Sequence, residues 1–347
     1  MAGDYFKRVS AQTPTAFWIN NVTQEQANLA IEAGAEGCTQ NPAYVWKMIE
    51  NAEERERIIE FIDNLTDQYD DDTDVLIALQ RKLVGEISGI FMDMYKKSHG
   101  KHGYVSVQGD PFHEDTETIL KTARFNREAG PNIMAKVPVT PDGLKAIGIL
   151  VKEQVPINAT EVLSVAQVID VCNVYKEASM GIDNPAPLYF SHIAGIFDEY
   201  LINKYEEAES GVPFDYIWQA SITVAKKIDQ VVRGTGLPIG FISRGARGLQ
   251  HFTEMVGCHC AVTINWKGTA DELLKQDPPV IQRFLAPTPY EVIDALCEEF
   301  DDFKKAYMLN GLTSSEYEDF GPVALFRSGF EKAWSNALNL IAERRKR

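Results

Sequence analysis

Residues 132–167, NIMAKVPVTPDGLKAIGILVKEQVPINATEVLSVAQ, change their hydrophobic period twice within one short span. The run 132–137 is short and apolar, as a buried strand requires. GLKAIGILVKEQ then repeats its apolar positions every three to four residues, and a second short apolar run follows at 155–159. Helix starts are legible at Pro141-Asp142 and at Thr160-Glu161, before VLSVAQVIDVCNVYKEA. A strand, a helix, a strand and a helix in this order are two βα units of a parallel sheet.

Outward from this core the same alternation recurs. Candidate strands are Thr15–Ile19, Ala35–Thr39, Gly103–Gln108, Asn132–Val137, Val155–Ala159, Pro187–Ser191, Pro238–Ser243 and Cys260–Asn265, and Thr23 is placed to cap the helix beginning QEQANLAIEAG. Eight such units predict an α/β fold, a (β/α)8 TIM barrel. No GxGxxG follows the first strand, so a doubly wound dinucleotide-binding sheet is the weaker alternative. Residues of about 43–100 read as an inserted helical segment, and about 288–347 as additional C-terminal helices. In the latter, YEDFGPVALFRSGFEKAW (317–334) would pack over the barrel or against a neighbouring subunit. Without repeats or Gly/Ser-rich linkers, 1–347 reads as a single domain.

Composition narrows the functional classes. A formal charge of -16 disfavours nucleic acid, whose phosphates are held by clustered Lys and Arg. With 45% hydrophobic residues but no apolar run of 18 or more, no membrane association is expected. The opening MAGDYFKRVSAQTPT lacks the apolar core of a secretory signal, so a cytoplasmic location is expected. The five cysteines form no CxxC pair and read as reduced, buried thiols. Cys258-His259-Cys260 could suggest a metal cluster, but adjacent strand residues face opposite ways, which disfavours it.

Barrel enzymes build their sites from the carboxyl ends of the strands. Taken in order, those ends carry Asn20, Asn41, Gln108 with Asp110, Lys136, Asn158 with Thr160, Ser191, Arg244 with Arg247, and Asn265. No His, Cys or carboxylate cluster dominates, which leaves the lone lysine as the nucleophile. Among apolar neighbours, an ammonium at Lys136 is costly, and a desolvated amine can attack a carbonyl to form an imine. The bland alternative is a strand-end lysine reaching solvent. An imine supplies its own electron sink, so no cofactor or metal is implied.

Three segments carry a specific resemblance. GCTQNPAY (37–44), NIMAKVPVTPDGLKAI (132–147) and PINATEVLSVAQ (156–167) resemble, in order, the signatures of the transaldolase family of class I aldolases, which includes the fructose-6-phosphate aldolases. Weaker likeness continues through YFSHIAGIFDEYL (189–201) and SRGARGLQHFTEMVGC (243–258), covering roughly residues 15 to 270.

The resemblance implies an imine on Lys136, with a dihydroxyacetone unit cleaved from a ketose and transferred, within the carbohydrate metabolism of the pentose phosphate pathway. It implies that Asn41 and Asn158 bind substrate hydroxyls, that Ser191 lies near the substrate, and that Thr160 and Gln108 hold a proton-shuttling water. A glutamine at position 108 matches the aldolase branch, which releases free dihydroxyacetone, whereas transaldolases proper carry glutamate there.

Three positions depart from the family pattern. Asn20 stands where an aspartate is expected, Ile196 where the first phosphate-binding arginine is expected, and His192 where proline is usual. Arg247, with Arg244 nearby, retains the second arginine, so the substrate is a sugar phosphate or another anionic sugar. His192 would contact substrate, or be satisfied by backbone groups. The competing reading from a different class is a non-catalytic sugar-binding barrel. Family likeness and the aromatic C-terminal helix also raise a homodimer.

Overall fold

The computed structural model describes residues 3–347; of the N-terminal segment read above, Met1 and Ala2 lie outside the described residues. Eight parallel strands, β1 (Ala16–Asn20), β2 (Ala35–Thr39), β3 (Tyr104–Gln108), β4 (Ile133–Pro138), β5 (Ile157–Val162), β6 (Leu188–His192), β7 (Ile239–Ser243) and β8 (Ala261–Ile264), pair in sequence order, and β8 closes on β1. All eight expected strands form. Their ends lie within one residue of expectation except in β5, which starts two residues later and runs three residues further to Val162.

That extension corrects the reading of Thr160-Glu161 as a helix start. Both residues are strand, and the following helix, Val165–Ala178, starts at an N-cap Ser164 in a reciprocal capping box with Gln167. The other two starts form. Thr23 caps Gln24–Ala33 in a capping box with Gln26, and Pro141 is the first residue of Pro141–Lys152 behind an N-cap Thr140.

Strand alternation divides the barrel into two buried layers. Inward-facing Trp18, Tyr104, Met134, Ile242 and Ala261 form a small cluster that plugs the barrel toward its amino end. Outward-facing residues such as Phe17, Ile19, Val105, Val137, Phe190 and Phe241 join one much larger cluster with the helices, reaching from Tyr5 to Ile341. A plug of large side chains below leaves polar inward residues only at the carboxyl ends.

The insertion forms three helices, Tyr44–Glu50, Ala52–Thr66 and Asp72–Lys97. The C-terminal segment contributes Tyr290–Glu299, Asp301–Tyr307 and the long helix Gly321–Arg345. On that last helix Phe326, Phe330 and Trp334 are buried, each adding at most about 2–3 kcal/mol. The aromatic face offered above to a second subunit is therefore covered within the chain, chiefly by the three inserted helices and the helix Ala194–Glu207. Cys258 and His259 sit in the turn before β8, with Cys258 buried and His259 exposed, so the strand-alternation argument does not reach them.

Candidate active site

Lys136 lies on β4 in register with Gln108 of β3 on one side and Asn158 of β5 on the other. Parity turns all three inward. The Lys136 side chain is almost fully enclosed, with a residue exposure of 3%, and its Nζ donates to the Gln40 carbonyl at 3.4 Å beneath the Phe330 ring at 5.9 Å. Burial, and secondarily the positive charge of Arg244, holds this amine well below the ordinary lysine range, while Glu161 and Glu114 pull the other way.

Around it the polar residues form a connected set. Asn158 donates to Ser106 Oγ at 3.2 Å and accepts from Ser191 Oγ at 2.7 Å. Asn20 donates to Asn265 at 3.0 Å, while its Oδ1 accepts from Thr39 at 2.9 Å and from Arg244 at 3.4 Å. Asn41 exchanges hydrogen bonds with Asn21. Asn20, Asn41, Arg244, Arg247, Phe326 and Phe330 help to line a cavity of about 540 Å3 at the carboxyl ends of the strands. A second hollow, of about 640 Å3, opens at the opposite end beside Trp18 and Tyr189, away from this set.

Two of the sequence-derived assignments separate from the rest. His192 follows inward-facing Ser191, so parity sends it outward. Its ring lies between the Val162 carbonyl at 3.1 Å and the Ser221 carbonyl at 3.3 Å, and burial lowers its pKa to about 4. A substrate contact by His192 is thus corrected to a backbone-satisfied histidine behind the barrel. Arg247 lines the cavity rim but is half-exposed and ion-paired to Glu199 at 2.5 Å. Arg244 is the inward arginine. It is 3% exposed, and its Nε and Nη1 have no partner among the described residues.

The loop holding these arginines is tightly built. Gly245 has φ +78°, and a side chain at Gly195 would meet the Gly245 carbonyl at 1.8 Å, so glycine at both positions lets the loop after β7 lie on the helix Ala194–Glu207. His251 accepts from the Arg247 and Gly248 amides and bonds Asp198 at 3.0 Å, pinning the same loop from behind. Ile196 lines the cavity where the first phosphate-binding arginine is expected.

Sequence reasoning missed three residues joined to Gln108 in one cluster. The Gln108 amide donates to Glu161 at 2.8 Å and to Glu114 at 3.2 Å, and Arg327 of the C-terminal helix pairs with Glu114 at 2.6 Å. Asp110, singled out with Gln108, is instead held by the Phe112 amide and His113. The available signal was Glu161 itself, a carboxylate inside an apolar strand. Arg327 sits nearly 200 residues away with no local signal. Among the described residues no group of three or more His, Cys, Asp or Glu is disposed to hold a metal.

The family model for transaldolase/fructose-6-phosphate aldolase matches residues 17–319. The chain belongs to that family. A transaldolase of Trichodesmium erythraeum is 28% identical over 171 residues, covering 47% of this chain and 44% of the relative. One from Helicobacter pylori is 37% identical over 90 residues, covering 25% and 28% respectively. The chain thus spans about half or less of the length of the curated relatives it matches. As a member of the transaldolase/fructose-6-phosphate aldolase family it combines the expected lysine position with a glutamine–carboxylate–arginine cluster beside it.

Proposed function

We propose that this chain is a transaldolase-type enzyme in which Lys136 forms an imine with a ketose, the bond between C3 and C4 breaks, and a dihydroxyacetone unit stays on the enzyme for transfer to an aldehyde. The observation that carries this reading is Lys136, an amine enclosed at the carboxyl end of a TIM barrel and held away from its protonated state. In these roles Asn158 and Ser191 bind substrate hydroxyls beside the imine, and Asn41 does so from the rim. Thr160, whose buried Oγ1 has no partner among the described residues, positions water.

Arg244, rather than Arg247, takes the anionic group of the substrate. Its Nε and Nη1 have no partner among the described residues, which leaves charged donors on this guanidinium for phosphate or sulfonate. Asn20 cannot accept a proton as a carboxylate would, and its contact to Arg244 makes it the support of that guanidinium. Gln108 favours a second reading, in which water intercepts the retained carbanion and free dihydroxyacetone leaves, as in the aldolase branch. The same proposal places the enzyme in the cytoplasm and treats 1–347 as one folding unit, supported by the hydrophobic cluster from Tyr5 to Ile341.

Borohydride reduction with dihydroxyacetone or a ketose phosphate tests the lysine. The expected result is a covalent adduct on Lys136 that Lys136→Met lacks. A folded wild-type protein that gives no adduct with any ketose supports the sugar-binding barrel instead. Product analysis with and without an acceptor aldehyde separates transfer from release.

A further inference from the structure

Between β5 and β6 the register slips. Ala159 pairs with Phe190 and Val162 with His192, so β5 carries one residue more than its neighbour over the same span. The bulge contains Glu161, which adopts φ +64°, a left-handed conformation that non-glycine residues seldom keep. Its carboxylate is buried, accepts from Gln108 at 2.8 Å, and has a second oxygen, Oε2, without a hydrogen-bond partner among the described residues. A strained, bulged, buried carboxylate is retained where surrounding structure holds it for a purpose.

Its neighbours differ in how they are neutralised. Glu114 is the ion partner of Arg327 at 2.6 Å, while Glu161 stands 3.9 Å from the same guanidinium. One guanidinium thus faces two buried carboxylates: it bonds Glu114 directly and draws on Glu161 from further off, and burial raises both. Two carboxylates and one cation, with the buried Lys136 amine nearby, leave a proton to be shared between Glu161, which lacks a direct cation contact, and that amine.

We infer that Glu161 is the proton donor and acceptor for imine chemistry at Lys136, a part that Gln108, an amide, cannot play, and that Glu114, spent on Arg327, does not. The inference rests on the imine reading of Lys136. The neutral amine adds to the ketone carbon, the C–N bond forms, and the amine proton passes to the former carbonyl oxygen. Glu161 then donates its proton to that hydroxyl, the C–O bond breaks, water leaves, and the iminium faces the new carboxylate. Hydrolysis reverses each transfer, with Glu161 taking the proton from the attacking water. Burial raises Glu161 above the ordinary carboxylate range and lowers Lys136, which favours the neutral acid and neutral amine that this sequence starts from.

The test is the rate of dihydroxyacetone adduct formation on Lys136 under cyanoborohydride, followed by intact mass from pH 5 to 9. The charged and titratable groups around Glu161 are Glu114, Lys136, Arg244, Arg327 and, beyond Glu114, Glu318, so each is kept wild type. Wild type should show a bell: an acid limb from Lys136 and an alkaline limb from Glu161. Glu161→Gln should slow trapping by roughly 100-fold and lose the alkaline limb. Glu161→Gly, which suits the positive φ and so protects folding, should be equally slow and be accelerated by added formate. Wild-type rate in Glu161→Gln, or slow trapping with both limbs intact in both variants, overturns the inference. Absence of any adduct in wild type removes the Lys136 reading and this inference with it.

Discussion

Arg244 donates to Asn20 Oδ1 at 3.4 Å across the cavity, while its Nε and Nη1 face no partner among the described residues. A guanidinium buried with unused donors is costly without an anion, and burial already lowers it to about 10. Arg244→Met should therefore raise KM for a phosphorylated ketose roughly 10- to 100-fold, corresponding to about 1.5–3 kcal/mol for charge-assisted hydrogen bonds. Dihydroxyacetone, which has no anion, should lose much less, its trapping slowed only as far as the Arg244 charge helps to hold Lys136 neutral. Equal losses for both ligands would show that Arg244 serves the fold instead.

Lys136 should be a stability liability. Its enclosed amine has a lowered proton affinity, so between the folded and unfolded pKa values the unfolded chain holds a proton that the native amine resists. That term destabilises the native state at neutral pH. Lys136→Met, similar in volume and apolar, should raise stability by about 0.5–2 kcal/mol while abolishing the adduct. Thermal unfolding at pH 7.5 measures it, and a lower Tm than wild type would count against the buried, unpaired amine.

His192 makes the acid side of the stability curve steeper. Its folded pKa of about 4 lies below the ordinary 6.5, so the native state stays neutral while the unfolded state takes a proton. Stability is intact above pH 6.5 and is lost progressively as pH falls toward 4, by about 3 kcal/mol in all. Urea unfolding at pH 7 and pH 5 should show His192→Gln losing less stability over that interval than wild type. Parallel losses in the two proteins would refute the assignment.

The Arg327–Glu114 pair ties the C-terminal helix to the barrel mouth. Arg327→Met leaves Glu114 buried beside Glu161 without its cation, and should destabilise by about 3 kcal/mol at pH 8. Because protonated Glu114 needs no cation, the deficit should shrink toward pH 5. A double-mutant cycle with Glu114→Gln should return a coupling of at least about 1 kcal/mol, and a null coupling would mean that the aromatic packing alone seats the helix.

The barrel was legible from sequence because each βα unit is a local pattern. Short apolar runs, helical period and caps at Thr23 and Pro141 need only neighbouring residues, and the same runs located Lys136, Asn158 and Ser191 at strand ends. Parity went further than it was used: His192 follows Ser191 directly, and its outward direction could have been read there. Glu161 was misread because Thr-Glu before an apolar stretch looks like a helix start, whereas β-sheet pairing extended the strand through it. The sequence by itself determined the architecture and the lysine's address, since both follow from periodicity. Only the tertiary structure decided which charges meet, through a one-residue bulge in β5 and a helix that brings Arg327 to Glu114, 213 residues away in the chain. Contacts at that separation are set by packing and burial, which leave no periodic trace in either segment.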